Sequence, residues 1–413
     1  MNSHIYKCRL LEKILPVFIA ILAFIYQGPY FLWNQPPYIY RIVLLTTIVT
    51  VFVYFMGKKI SFRFFLPAFC FTVSWLFRQF SSNGIEPWFS FEIILIMIFI
   101  FCDDKVKMNS FKWFMNIYTI SLIPSIVMYF MVFAGWNLPW VFLEPLNPLK
   151  TAVGEYYREY WGMVVLSSEI VQLGVGEMFR LSGMFDEPGV VGTISAILLV
   201  ATNFSMHEWR GKILLISGLF SFSLAFYVIC ALFLFLRRPF YVFNSFLVIL
   251  FIVALLPPSI LGNDLVRRYL LERVATAVYD FDSVNNRETD GFKAHYKKFL
   301  SSESILFGCG KKSSISARDG SASYKVTIYT YGYLGFLTIF IYYLSFVVIQ
   351  IRNISDVFRL APFLLCCFAS LLQRPLFDTF GFILMYCGGA ASILSVKKPV
   401  WPSYPIKCEL IRK

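Results

Sequence analysis

Charge is scarce in this chain. Asp, Glu, Lys and Arg make up 15% of its 413 residues and histidine occurs three times, against 58% hydrophobic residues and a mean hydropathy of +0.67. So little charge argues against a disordered chain and against a soluble globular enzyme, and indicates a polytopic membrane protein. There is no HExxH and no Cys/His cluster, so the sequence offers no structural zinc site, and no cofactor is expected. The net charge of +13 lacks the basic helix or zinc-finger spacing that would give it a nucleic-acid meaning. Lys and Arg stand instead in short blocks between apolar runs, which is how membrane topology is encoded. Of nine cysteines only Cys309 lies in the longer polar segments, so no disulfide framework is available there. No small-residue cleavage site follows the first apolar run, which reads as a retained span.

What is abundant is apolar sequence. A span needs about 20 mostly apolar residues. Runs of that kind fall near 14–33, 40–56, 64–77, 88–102, 113–135, 187–205, 212–236, 239–260, 326–350, 358–373 and 376–395. The basic stretches MNSHIYKCRLLEK, GKKISFR and DDKVKMNSFK put the N-terminus and the loops at 57–63 and 103–112 in the cytoplasm, and IRNISDVFR with the tail KKPVWPSYPIKCELIRK does the same for the other end. Segments 136–186 and 261–325 then both lie outside. An even number of crossings must separate them, yet three apolar runs do. The middle run, 212–236, has small polar residues at its centre (Ser217, Gly218, Ser221, Ser223) and divides there into two short half-spans that return Arg237 and Arg238 to the cytoplasm. The plain alternative is one ordinary helix and a miscounted neighbour. The expectation is an all-α polytopic integral membrane protein of about 12 (11–12) spans. It comprises N-terminal helices in 1–135, a first long outer loop in 136–186, central helices in 187–260, a second long outer loop in 261–325, and C-terminal helices with a cytoplasmic tail in 326–413.

Two outer loops carry the polar residues. In the first, Tyr156, Tyr157, Tyr160 and Trp161 suit an interfacial aromatic belt or the faces of sugar rings. It ends in MFRLSGMFDEPGVVGTISAILLV, where Arg180, Asp186, Glu187 and Pro188 stand directly before an apolar run. The second contains Arg287, His295, Lys311, Lys312, Arg318 and Asp319, and its Gly308-Cys309-Gly310 before two lysines is similar to a phosphate-cradling turn without meeting the P-loop pattern.

RLSGMFDEPGVVG resembles the Arg-x-x-Gly-x-Phe-x-x-Pro signature of the O-antigen polymerase and ligase superfamily, the Wzy and WaaL type. Arg287, LFGCG, SASY and GYLGF follow in the order that family shows, and the resemblance covers roughly residues 180–340. The ligase branch carries a histidine at a fixed distance before Gly-x-x-Gly; here Gly332 and Gly335 are present but Ser321 occupies that place, which favours a polymerase. Neither Arg180 nor Arg287 has a glycine at the Arg-x10-Gly offset of some polymerase branches.

The resemblance implies a GT-C-like membrane glycosyltransferase of the bacterial cytoplasmic membrane. It would join undecaprenyl-pyrophosphate-linked repeat units into O-antigen, capsule or another surface polysaccharide, with a chain-length regulator and a flippase as partner proteins. The alternatives are the ligase or a lipid-linked oligosaccharide flippase; transporters show internal repeats and midplane charges, which this sequence does not. A departing diphosphate needs its charge stabilised, and a guanidinium does so with two parallel hydrogen bonds. Arg180 and Arg287 are the catalytic candidates, with Arg318 and Lys311 as further phosphate ligands; for each, snorkelling or ion pairing is the competing reading. Glu187 is the candidate base, with Asp186 next to it and His295 and Asp319 as further candidates; Glu187 could equally serve the N-terminus of the helix that Pro188 opens. Ser323 and Tyr324 are candidate hydrogen-bonding partners of sugar or phosphate. Glu92 reads as a residue at a helix start. Cys309 is expected to react with an impermeant maleimide from outside the cell and Cys408 only after permeabilisation; the reverse pattern would invert the topology.

Overall fold

The computed structural model describes residues 2–33, 38–56, 61–87, 89–146, 148–152, 154–172, 176–237, 288–318, 321 and 323–395. Arg287 and Asp319, the run at 239–260, Arg238, Cys408 and the tail lie outside the described residues, and so does the side chain of Arg318.

Among the described residues, apolar sequence becomes helix. The helices are α1 (Asn2–Ile25), α2 (Tyr38–Phe55), α3 (Phe65–Phe77), α4 (Phe91–Phe101), α5 (Asp104–Phe133), the short α6 (Pro148–Ala152), α7 (Pro188–Ala201), α8 (Trp209–Phe220), α9 (Leu224–Arg237), α10 (Asp290–Leu300), α11 (Gly310–Arg318), α12 (Tyr324–Val348), α13 (Ile354–Gln373) and α14 (Phe380–Ser395). Four of them, α2, α5, α12 and α13, are long and apolar enough to cross a membrane, and α3, α4, α7, α9 and α14 are shorter apolar helices. Large apolar side chains such as Leu45, Phe52, Phe69, Phe358 and Leu365 remain exposed along them, which is what helices facing lipid require. The protein is a helical membrane protein.

At the centre lies α7. Every residue of it but Val190 is buried, against α8, α9, α13 and α14, and Tyr118 of α5 donates to Val191 O at 3.2 Å. Its small residues, Gly189, Gly192, Thr193, Ser195 and Ala196, let those neighbours approach. The long apolar run at 212–236 is two helices: Ser221, Phe222 and Ser223 interrupt it, and Phe222 takes the left-handed φ of 45°. The resulting V is pinned at its apex. The Tyr227 hydroxyl donates to Leu219 O at 2.8 Å, and the Phe226 ring lies over Gly218, where a Cβ would come within 2.0 Å of it. Below the apex, Phe204, just before α8, stacks on Phe233 near the end of α9 at 5.6 Å, so the open ends of the V point the same way.

Polar contacts sort by end of the bundle. At one end Arg63 pairs with Asp104 at 2.7 Å, Tyr54 donates to Asp103 at 2.9 Å and Arg237 donates to Arg359 O at 2.8 Å. The loops at 78–90, 136–186, 303–312 and 374–379 gather at the other.

The expectation of an all-α chain fails in these loops. Residues 136–186 carry a three-stranded antiparallel sheet of β3 (Val141–Leu143), β4 (Tyr157–Tyr160) and β5 (Met163–Leu166), and hairpins form from β1 (Phe80–Ser81) with β2 (Gly84–Ile85) and β6 (Val171–Gln172) with β7 (Glu177–Met178). Tyr160 opposes Met163 across the two-residue turn Trp161-Gly162, with Gly162 at φ 86°, a tight hairpin geometry. Tyr157 and Tyr160 are thereby buried, Tyr157 edge-on to Trp33 at 5.2 Å, so neither belongs to an aromatic belt.

Gly192 abuts the apex of the V, where a Cβ would stand 2.4 Å from Ser223 Cβ. Gly192→Ala is expected to cost about 1–3 kcal/mol, as overpacking of a filled core does, and to lower the melting temperature of the detergent-purified protein; an unchanged melt would contradict the packing.

Candidate functional site

Arg180 stands where its motif puts it, in the strand-like run that leads to α7. Its guanidinium is already engaged. Nη1 meets Glu169 Oε1 at 3.2 Å, Nε donates to Ser221 O at 3.2 Å and Nη2 to Phe222 O at 3.4 Å. The adjacent Leu181 N–H donates to Phe220 O at 2.9 Å. These carbonyls terminate α8 and have no partner in a following turn, and the end of a helix carries partial negative charge. Arg180 therefore stitches the first long loop to the break between α8 and α9. Burial pushes the Glu169 carboxyl up, against the pull of Arg180 and Lys150.

Asp186 and Glu187 follow along the same rim. Asp186 receives Lys150 Nζ at 2.9 Å and the Tyr157 hydroxyl, and Lys150 also donates to that hydroxyl at 2.6 Å. Burial, then Asp186, pushes the Tyr157 phenol far up, so it stays a donor. Glu187 occupies the N-cap position of α7 with Pro188 at N1, but its carboxylate does not bond the helix N–H groups. It forms an ion pair with Arg374 instead. Gly189 is what allows this, because a Cβ there would lie 2.5 Å from the Arg374 guanidinium. Arg374 is itself mostly buried and its Nε has no acceptor among the described residues.

The short connector from Arg374 to Thr379 continues the row. Asp378 forms an ion pair with Arg78, a buried arginine whose Nε donates to Ser74 O at 3.2 Å at the end of α3 and whose guanidinium lies 5.7 Å from the Tyr331 ring. Lys311 comes from the second loop into the same field; burial lowers it to about 8, with Asp378 pulling it up and Arg78 down. Glu92, in the first turn of α4, accepts from Phe380 N at 3.4 Å, at the N-terminus of α14.

The Gly308-Cys309-Gly310 turn is not an open phosphate cradle. Gly308 N donates to Ser304 O at 2.6 Å and Cys309 N to Tyr329 O at 2.8 Å. The amides of Lys311 and Lys312 are taken by the Glu86 carboxylate at 2.7 and 3.3 Å, so an internal anion already sits at the start of α11. The turn packs on Gly332, whose φ of 69° kinks α12 there.

Of the residues read from sequence, Arg180, Asp186, Glu187 and Lys311 belong to this row. His295 is exposed on α10, away from it. Ser323 is the buried N-cap of α12, its hydroxyl without a hydrogen-bond partner among the described residues, and Tyr324 packs on Phe336 at 6.4 Å. Tyr324 belongs with Phe292, Phe299 and Tyr329 in a separate apolar cluster beneath α10. Ser321 is buried and accepts from Thr289 N at 2.8 Å, tying α10 to the start of α12. Sequence reading missed Glu86, Lys150, Glu169, Arg78, Arg374 and Asp378. For the last three a signal existed: an arginine directly after one apolar run, and an Arg-Pro and an Asp bracketing a very short connector between two others. No protein-family model, no curated protein and no solved structure matches this chain.

Arg180→Ala leaves two helix-terminal carbonyls and Glu169 buried without their donor. Losing one partner of such a buried pair costs about 3–5 kcal/mol, so folded yield and melting temperature should both fall, with part of the loss recovered in Arg180→Ala/Glu169→Gln. Thermal denaturation of purified variants measures this; an Arg180→Ala protein as stable as wild type would remove the stitching role.

Proposed function

We propose that the chain is a membrane glycosyltransferase that polymerises lipid-diphosphate-linked oligosaccharide repeat units into a surface polysaccharide. It works at the outer face of the bacterial cytoplasmic membrane, crosses that membrane about 12 times in a GT-C-like arrangement, and takes an undecaprenyl-diphosphate-linked glycan as donor. One observation carries the reading. The first stretch that resembles the polymerase family and Lys311 of the second loop, more than 100 residues apart in sequence, belong to one row of charged side chains at one end of an apolar bundle, linked by Glu187–Arg374 and Asp378–Arg78. In this reading that end faces outward. The V of α8 and α9 is then a pair of half-spans entered from the cytoplasm, and Arg237 lies at the cytoplasmic end. Ser321, buried and hydrogen-bonded, offers no acid–base group where a ligase carries histidine, which supports polymerase over ligase.

The chemistry follows from the row. The acceptor hydroxyl attacks the anomeric carbon of the donor glycan, the carbon–oxygen bond to the diphosphate breaks, and the diphosphate departs with the electron pair. The hydroxyl proton passes to a carboxylate. Glu187 is suited to take it, being the half-exposed acid of the row and held by Arg374. Arg374 has a buried Nε–H without an acceptor among the described residues, and a phosphate oxygen would satisfy it. Arg78 and Lys311 add positive charge further along. Arg180 acts as a positioning residue that fixes the loop bearing Asp186 and Glu187.

Removing a preorganised donor of this kind costs roughly 10²–10³ in rate. In cells, Arg374→Ala and Glu187→Gln should therefore accumulate single lipid-linked repeat units on the outer face and lose long polymer, while protein levels on an immunoblot persist; Arg374→Lys keeps the charge but loses the fork and should remain impaired. Normal chain lengths in both variants, or repeat units trapped on the inner face in a deletion strain, would reject the proposal, the second result in favour of a transporter.

A further inference from the structure

The first long loop holds a cavity that the row of charges does not use. It measures about 200 Å³ and lies between the end of α5, β4 and the β6–β7 hairpin. Pockets for drug-sized ligands run to roughly 300–1,000 Å³, so this one fits a single ring. Its construction is specific. Gly176 presses on the terminus of α5, where a Cβ would stand 2.4 Å from Phe133 O, and this places β7 directly beside Trp136. Trp136 contributes an indole that is 62% exposed and has no ring partner among the described residues. Facing it is a comb of planar polar groups. Arg158 Nη1 bonds both oxygens of Glu177, at 3.1 and 3.2 Å, and Gln172 Nε2 donates to Glu177 Oε1 at 2.6 Å. Arg158 in turn lies over the Trp140 ring at 5.0 Å, and Trp140 stacks on Tyr156 at 6.2 Å, so the comb is held from behind.

We infer that this cavity is a subsite for one neutral pyranose ring of a glycan, stacked on Trp136 and hydrogen-bonded through Glu177 and Gln172. An indole face matches the C–H face of a pyranose, and a carboxylate with lone pairs to spare accepts from neighbouring hydroxyls. The Arg158–Glu177 pair cancels its own charge, which selects an uncharged ring over a uronate or a phosphate. A tryptophan that only anchors a protein at the lipid boundary needs its flat face and not this comb. The glycan's source rests on the polymerase reading; the cavity's chemistry does not.

The test uses the full chain in nanodiscs and the methyl glycosides of glucose, galactose, mannose, rhamnose and N-acetylglucosamine as probes, read by saturation-transfer-difference NMR. At least one glycoside should show saturation on the protons of one ring face. Trp136→Ala should reduce that signal at least fivefold, Trp136→Phe should restore part of it, and Glu177→Gln/Gln172→Ala should weaken it with Trp136 intact. Arg374→Ala should leave it unchanged. No binding by any of the five, equal binding by Trp136→Ala, or binding of methyl glucuronide alone would overturn the inference. Loss of polymer in Arg374→Ala cells without glycoside binding at Trp136 would remove the subsite and leave the polymerase reading standing. Glycoside binding at Trp136 with normal polymer in both Arg374→Ala and Glu187→Gln cells would do the reverse.

Discussion

A helix that stops inside an apolar bundle leaves carbonyls with no water to bond, and each unsatisfied group costs several kcal/mol in that surrounding. Much of this structure answers that demand with cations. Lys107, fully buried between the Phe64 and Phe346 rings, donates to Ile100 O at 2.7 Å at the end of α4. Arg359 donates to Ile393 O near the end of α14. Arg180 does the same for Ser221 and Phe222 where α8 ends. In each case the positive charge sits where the helix end is partially negative, so the same contact satisfies the backbone and favours the dipole. The α8–α9 break, the feature that sets the central helices apart, depends on a side chain reaching in from the first long loop.

That dependence links the loop to the bundle. Because Arg180 holds the apex of the V and Gly189 admits Arg374 beside Glu187, the run from 180 to 189 is fixed against three separate helices. Four acidic groups of the rim have a cationic partner, two of them within the first long loop and two drawn from distant parts of the chain: Glu169 with Arg180 and Asp186 with Lys150, Glu187 with Arg374 and Asp378 with Arg78. In three of these pairs the acid is partly exposed and the pair adds little net stability; Glu169–Arg180 is mostly buried on both sides, and there losing one member is expensive.

Several elements are legible from local sequence. Apolar runs of the right length become α2, α5, α12 and α13, and Glu187-Pro188 opens α7 with proline at its first position. The serines and glycine between 217 and 223 mark the interruption of α8–α9, because small polar residues in an apolar run have few other uses. The sheet in 136–186 was harder to see: its strands are two to four residues long, and their tyrosines satisfy the composition of an interfacial belt as well as that of a strand.

The chain by itself determined that these segments are helices in lipid, where they break, and which loops carry charge, since burial of an apolar run and the loss of a helix at small polar residues are decided by neighbours a few positions away. Only the tertiary structure decided which charge meets which. Glu187 and Arg374 are 187 residues apart and Arg78 and Asp378 are 300 apart, and nothing in the residues around either member names the other. Pairing across such distances is set by how the helices pack, and that packing gives Arg180 its contacts with Glu169 and with the break between α8 and α9.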